Sequence, residues 1–288
     1  MTDPKLNINS HSTLEDRGKI YSRKNNNIEL LHSCIKKYKK KTTEKIISII
    51  IPVYNEENTI RQILEKIPKN NLIEIIVIDD CSMDNSISEI KKVKHQGEIH
   101  IIRHKINRGY GEALLTGIRH STGDVFITMD SDGQHRTEDI FNLVLPIFEG
   151  EADICIGSRY KGSFNYKLPV ATRFGEALLE IIIILLFRQK VKNNQCGFRA
   201  LHKKTKHIFE TIKFKGYAFT TELILLAMLN GYKIKEVPIN LASREYGSSN
   251  IILRKLLFSL ILCFGFYFIK RIVRILFKKK LDLKIMFL

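Results

Sequence analysis

The sequence predicts an α/β fold, a mostly parallel sheet with helices on both faces. Three observations predict it. Short apolar runs recur from residue 46 to residue 158, each of the first four followed by a segment with helical spacing. The runs are apolar throughout instead of alternating, as strands covered on both faces are. Polar turns follow the runs, and three of the five are crowded with acidic residues. Ligands of such a sheet sit beyond the carboxyl ends of its strands.

The first run, IISIII (46–51), leads to TIRQILEKI, in which Ile60, Ile63, Leu64 and Ile67 fall on one helical face. The second, IEIIVI (73–78), precedes a polar turn and a helix through ISEIKKV. The third, IHIIR (99–103), precedes a helix around GEALLTGIRH. The fourth, DVFITM (124–129), precedes EDIFNLVLPIF, and the fifth is ADICIGS (152–158). The turns after these runs read PVYNEEN, DDCSMD, NRGYGE, DSDGQH and GSRYKG.

After residue 162 the rhythm stops. Apolar helices are expected at 177–187 and 217–229, and a short extended piece at 234–239. Residues 256–269, LLFSLILCFGFYFI, are uncharged and flanked by Arg254, Lys255, Lys270, Arg271 and Arg274. Fourteen residues fall short of the roughly 20 that cross a bilayer. A membrane-surface or re-entrant helix, a buried core helix and a tilted span are all open.

The amino-terminal 27 residues are polar and expected to be disordered, and they carry no apolar stretch of signal-peptide type. In IELLHSCIKKYKKK (28–41), Ile28, Leu31, Ile35 and Tyr38 share a helical face opposite lysines. That segment reads as a solvated surface helix or as a basic helix touching anionic lipid. The expected division is an extension at 1–45, a catalytic domain at 46–250 and a basic, membrane-associated segment at 251–288.

The formal net charge of +17 over 288 residues points to an anionic partner: membrane surface, phosphorylated substrate or nucleic acid. The five cysteines are scattered and form no C-x-x-C pair, which argues against a disulfide framework and a zinc site. A reducing, cytosolic setting is expected.

TMDSDGQH (128–135) is the densest chemical signal. Asp130 and Asp132 offer hard oxygen ligands for one divalent cation, Mg²⁺ or Mn²⁺, and Gln134 can add a carbonyl oxygen. His135, beside a turn, reads as a surface residue more readily than as a ligand. Arg159, Arg173, Arg199 and Arg244 are read in loops, either as forks for phosphate oxygens or as solvent-facing charge, and Arg199 leans to the latter. GYGEAL (109–114) half-matches a dinucleotide-binding turn, but Leu114 stands where the third glycine belongs and the turn lies in the third βα unit. Its glycines fit a tight turn with close backbone packing better.

The motifs SIIIPVYNEENTI, IIVIDDCSMDNS, NRGYGEALLTGI, STGDVFITMDSDGQH and GSRYKG together resemble the signature of family 2 glycosyltransferases, whose fold is GT-A, a Rossmann-like sheet. NQCGFRAL, GYAFTTELILLA and EVPINLASREYGSS resemble the branch that includes dolichyl-phosphate mannose synthase and bacterial polyprenyl-phosphate sugar transferases. The resemblance covers about 46–250. It implies a nucleoside-diphosphate sugar donor, a divalent cation and a polyprenyl phosphate acceptor, with no nucleic acid. It implies a nucleotide-sugar site made of Pro52, Tyr54, Glu56, Ile78, Asp80, Asp130 and Ser131, with Asp80 on base or ribose. Asp130, Asp132 and Gln134 match the metal and diphosphate group, and Asp132, Arg159, Arg173 and Arg244 match the catalytic set. The family pattern R-x-x-G-x-S-K ends here in Asn250, so one phosphate contact departs from it; Arg254 or Lys255 stands nearby in sequence.

The expected reaction is inverting transfer of a hexose to a lipid phosphate at the cytoplasmic face of a membrane, by a peripheral or monotopic enzyme. A phosphate monoester is already anionic near neutral pH, so it needs no general base; a glycan or protein hydroxyl, the alternative acceptor, needs one. A silent nucleotide or nucleic-acid binder is the rival from another class, allowed by the charge alone.

Overall fold

Isoleucine and valine dominate β1 (Ile47–Val53) and β2 (Ile73–Asp79), and every residue of both strands is buried. β-branched side chains suit a pleated surface packed on both sides. The computed structural model describes residues 27–38, 46–94, 98–164, 170–243 and 253–286. The sheet continues with β3 (Glu98–Arg103), β4 (Val125–Thr128), β5 (Ile154–Phe164), β6 (Arg199–His202) and β7 (Ile234–Leu241). The helices are α1 (27–38), α2 (Ile60–Lys66), α3 (Ser86–Lys91), α4 (Tyr110–His120), α5 (Ile140–Phe148), α6 (Val170–Phe187), α7 (Phe219–Leu229) and α8 (Leu253–Met286).

The seven strands run in the order β3-β2-β1-β4-β6-β5-β7. All neighbours are parallel except β6, which is antiparallel to β4 and to β5. From β1 the chain builds outward through β2 to β3, then returns to place β4 on the other side of β1. Right-handed crossovers therefore put α2 and α3 on one face and α4 on the other. The point of reversal lies between β1 and β4, and there the carboxyl ends open a crevice.

Four expectations need correction. β3 is an edge strand, and half of it is exposed, so its apolar run does not mean burial on both faces. The rhythm does not end at 162: the four residues of β6 sit in the middle of the sheet. A strand that short carries no periodicity to read, and NQCGFRAL holds only one turn of alternation. β5 runs on to Phe164, with an irregularity between Ser158 and Ser163 where it pairs β7, so Arg159 lies in an extended strand and not in a loop. Finally, α1 is neither a solvated nor a lipid-facing helix along its apolar side: Leu31 and Ile35 are buried in the core. Tyr38 stacks on Phe148 of α5, with ring centroids 4.6 Å apart.

α8 has 34 residues, about 50 Å of helix. It is far longer than its uncharged stretch because no helix breaker follows the basic flank. Its window Arg254–Arg274 has a mean hydropathy of 2.0 and only 22% of it is buried, which removes the core-helix reading. One face, Leu260, Cys263, Phe264 and Tyr267, is buried, and α8 packs on α7. The other exposes Phe258, Ile261, Ile269 and Leu276. α6 likewise exposes Leu178, Ile181 and Leu185, and the Arg271 guanidinium of α8 lies 4.7 Å over its Phe187 ring.

Candidate active site

Strand pairing carries β4 to the crevice and then releases it. Thr128 pairs with Ile50, the Met129 N–H donates to the Ile50 carbonyl at 3.0 Å, and Asp130 is the first residue past the ladder. The loop then folds on itself. The Gln134 N–H donates to Asp132 Oδ1 at 3.1 Å, and Gly133 sits at φ +78°, where a side chain would be strained. Two hydroxyls pin the loop to the end of β1: Ser131 Oγ donates to the Pro52 carbonyl at 2.8 Å, and Thr59 Oγ1 to the Ser131 carbonyl at 2.6 Å.

Asp130 and Asp132 are therefore held at the switch point, one a third exposed and the other buried. The Tyr110 hydroxyl donates to Asp130 Oδ1 at 2.9 Å. The Tyr110 ring is 37% exposed, while desolvation around its hydroxyl and the neighbouring Asp130 carboxylate raise the phenol above its usual pKa, so it stays protonated and donates. Among the described residues no group of three or more His, Cys, Asp or Glu is placed to hold a metal. Two carboxylates in one short loop nonetheless suit Mg²⁺ or Mn²⁺, which bind through one or two carboxylates and complete their shell with phosphate and water.

His135 is not a surface residue. It is buried and stacked on Phe198, with centroids 4.8 Å apart, and its Nδ1 accepts the Asp130 N–H at 3.1 Å. The ring supports the carboxylate loop from beneath. Its burial depends on β6, whose approach brings Phe198 under it.

Arg199 is neither a phosphate fork nor a solvent-facing charge. It is 1% exposed and donates to the carbonyls of Cys196 at 2.8 Å, Thr220 at 2.8 Å and Asn194 at 2.9 Å. It pairs with Thr128 in the β4–β6 ladder, so a buried cation lies under the acidic loop. Burial lowers its pKa, against the pull of Cys196, Tyr110 and Asp130.

One wall of the crevice is built from the ends of β1 and β2. Pro52 and Ile78 face each other in the ladder and are buried. Tyr54 is 45% exposed beside the crevice. Glu56 Oε2 accepts the Thr59 hydroxyl at 3.0 Å. The two loops are laced together: Asn55 N–H to Ser82 Oγ at 3.0 Å, Met83 N–H to Asn55 Oδ1 at 2.8 Å, and Asn85 N–H to Glu57 Oε2 at 2.9 Å. Asp80 stands at the end of β2, bonded to the neighbouring turn. It is buried, and its carboxylate accepts the Arg108 N–H at 2.9 Å and the Gly109 N–H at 2.7 Å, with His104 Nδ1 2.6 Å away. It shapes the turn that presents Tyr110. Gly109 in that turn has φ +86°, and a Cβ on Gly111 would lie 2.1 Å from the Lys215 carbonyl oxygen, as the tight-turn reading of these glycines expects.

Across β6, Thr128 and Ile156 both pair with Arg199, so the end of β4 stands level with Ile156 of β5, about 10 Å away across two strand spacings. Arg159, just beyond Ile156, pairs with buried Glu176 of α6 at 2.5 Å, and the Tyr160 hydroxyl donates to the same carboxylate. Arg173, expected in a loop, lies instead in α6, exposed one helical turn before Glu176. Arg244 and Asn250 lie outside the described residues. The segment that leads to Arg244 leaves from the acidic loop: Ala242 N–H donates to the Gln134 carbonyl at 3.0 Å, and Gln134 Nε2 to the Ala242 carbonyl at 3.2 Å.

Tyr110, His104 and Arg199 belong to this framework, none of them in a role that the sequence pattern indicates. Tyr110 lies inside a strand-end turn, which was its only signal; the others are brought in by tertiary packing.

The family model described as glycosyl transferase family 2 matches residues 48–209. An uncharacterized protein of Methanocaldococcus jannaschii is 38% identical, over 75% of this chain and 91% of its own. The UDP-N-acetylglucosamine–dolichyl-phosphate N-acetylglucosaminyltransferase of Methanococcus voltae is 31% identical, over 70% of this chain and 88% of its own. Among solved structures, glucosyl-3-phosphoglycerate synthase from Mycobacterium tuberculosis, in complex with Mn²⁺, UDP and glucosyl-3-phosphoglycerate, superposes with a TM-score of 0.58. It is 20% identical over 79% of this chain and 82% of its own, a likeness of fold. The match of the family model over more than half of the chain, and the two archaeal relatives, place the protein: it belongs to glycosyl transferase family 2.

Proposed function

We propose that this chain transfers a hexose from a nucleoside-diphosphate sugar to a polyprenyl phosphate at the cytoplasmic face of a membrane, inverting the anomeric carbon. The observation that carries it is the Gln134–Ala242 pair, which ties the acidic loop to the segment running into apolar helix α8. The acidic loop is thereby joined to the chain that precedes α8 in sequence. The Methanococcus voltae relative, named for a dolichyl-phosphate acceptor, supports the same class. Residues 46–250, with α1 packed against them, form the catalytic domain, and 251–288 the membrane element, held peripherally or monotopically.

Tyr54 and Glu56 face the nucleoside over a floor of Pro52 and Ile78. Asp130, Asp132 and Gln134 would hold a Mg²⁺ or Mn²⁺ ion, which supplies positive charge against the diphosphate as it departs. Ser131 fixes their loop. Arg173 and Arg244 take acceptor and diphosphate oxygens, as does Arg159, which Glu176 orients within β5. The acceptor phosphate is an anion near neutral pH, so no side chain needs to remove its proton. The exposed apolar faces of α6 and α8, joined through Phe187 and Arg271, lie on the bilayer. The basic flanks of α8 and the +17 charge favour an anionic surface.

The test incubates membranes holding the protein with a panel of labelled UDP- and GDP-sugars. Label should pass into the organic extract. Label confined to a water-soluble product would replace the lipid phosphate with a hydroxyl acceptor.

A further inference from the structure

Asp130 is gripped from three sides. Its N–H is taken by His135 Nδ1 at 3.1 Å, and its Oδ1 accepts the Tyr110 hydroxyl at 2.9 Å. On the third side stands Gly197, where a Cβ would lie 2.6 Å from the Tyr110 oxygen and 2.8 Å from both Asp130 oxygens. The absence of a side chain at 197 is thus what lets phenol and carboxylate meet. Tyr110 is itself fixed. Gly109 N–H is held by Asp80, Gly111 packs on the Lys215 carbonyl, and the ring meets Phe219 edge-on at 6.4 Å and 89°.

We infer that Tyr110 is a positioning residue for the cation-binding carboxylate: its hydroxyl sets the rotation of Asp130, with Gly197 clearing the space. The terminal torsion of an aspartate is broad and two-fold, so its oxygens point where their partners hold them. Hydrogen bonds to ligating carboxylates orient them, and losing such a partner weakens metal affinity roughly tenfold or more. The inference rests on Asp130 as a cation ligand, and the experiment separates the two.

The full chain in detergent is titrated calorimetrically with UDP and with GDP, each with and without Mn²⁺. The wild type should bind one nucleotide more tightly with Mn²⁺. Tyr110→Phe keeps the ring and its contact with Phe219. It should melt as the wild type does, bind nucleotide equally without metal, and require roughly tenfold more Mn²⁺ for the tight state. An unchanged Mn²⁺ requirement in Tyr110→Phe overturns the inference alone. No Mn²⁺ effect on either nucleotide in the wild type overturns the ligand reading of Asp130 and the inference with it. Should Tyr110→Phe melt lower, Gly197→Ala perturbs the same contact from the other side: a raised Mn²⁺ requirement supports the inference, and a wild-type one overturns it.

Discussion

Gln134 and Ala242 bond each other twice, 108 residues apart in sequence: the Ala242 N–H reaches the Gln134 carbonyl at 3.0 Å, and the Gln134 side-chain amide reaches the Ala242 carbonyl at 3.2 Å. The link joins the loop proposed to hold the donor diphosphate to the segment proposed to hold the acceptor phosphate. Misplacing reacting groups by about 1 Å costs on the order of 100-fold in rate. Gln134→Leu removes the side-chain half of the link and should lower kcat for label transfer to the lipid extract at least tenfold. A variant with wild-type kcat would leave the link idle.

Removing the cation tests the acidic loop directly. EDTA should abolish transfer, and added Mg²⁺ or Mn²⁺ should restore it. Asp132→Ala should do the same irreversibly while melting like the wild type, since Asp132 lies past the end of β4 and outside the apolar core. Full turnover in chelator would end the metal role.

Arg199 makes a prediction of the opposite kind. Its guanidinium satisfies the carbonyls of Cys196, Thr220 and Asn194, all at 2.8–2.9 Å. Arg199→Met strips the donors from buried acceptors, each worth about 1–3 kcal/mol, so denaturant melts should lose several kcal/mol. A stable protein with selectively weakened nucleotide binding would return Arg199 to phosphate contact.

Burial raises the Asp139 carboxyl from 3.8 to about 6, against the pull of the Asn240 N–H at 2.7 Å. The folded state therefore holds this proton more tightly than the unfolded chain does. Its contribution favours folding below about pH 4 and turns into a penalty as pH rises through about 6, approaching 3 kcal/mol. Asp139→Asn cannot ionise, so its melting temperature relative to the wild type should rise between pH 4 and pH 7. A constant difference across that range would refute the shift.

Glu222 is buried and accepts the N–H groups of Lys213 and Phe214 and, at 2.6 Å, the hydroxyl of Tyr267 on α8. Tyr267→Phe leaves this carboxylate one donor short, at about 1–3 kcal/mol. In detergent α8 should become more susceptible to limited proteolysis. Equal susceptibility would show that apolar packing alone docks the helix.

Local pattern made the first four βα units, the strand-end site and the Asp130–Asp132 pair readable, because apolar runs, turn residues and carboxylates are consecutive in the chain. The motifs also sufficed to name the family. The sequence did not disclose β6, because four residues carry no period and their strand character comes from being flanked by β4 and β5. His135 and Arg199 looked like surface groups for the same reason: a charge's burial depends on what the fold lays across it. The bonds of Asp80 to the Arg108 and Gly109 N–H groups were likewise illegible, because that turn arrives from 28 residues along the chain. Thus the chain's own order determined which chemistry is present and at which strand ends it stands. Tertiary packing alone decided which of those groups face the crevice and which hold it open, because hydrogen-bond partners and desolvation arrive from residues tens of positions away.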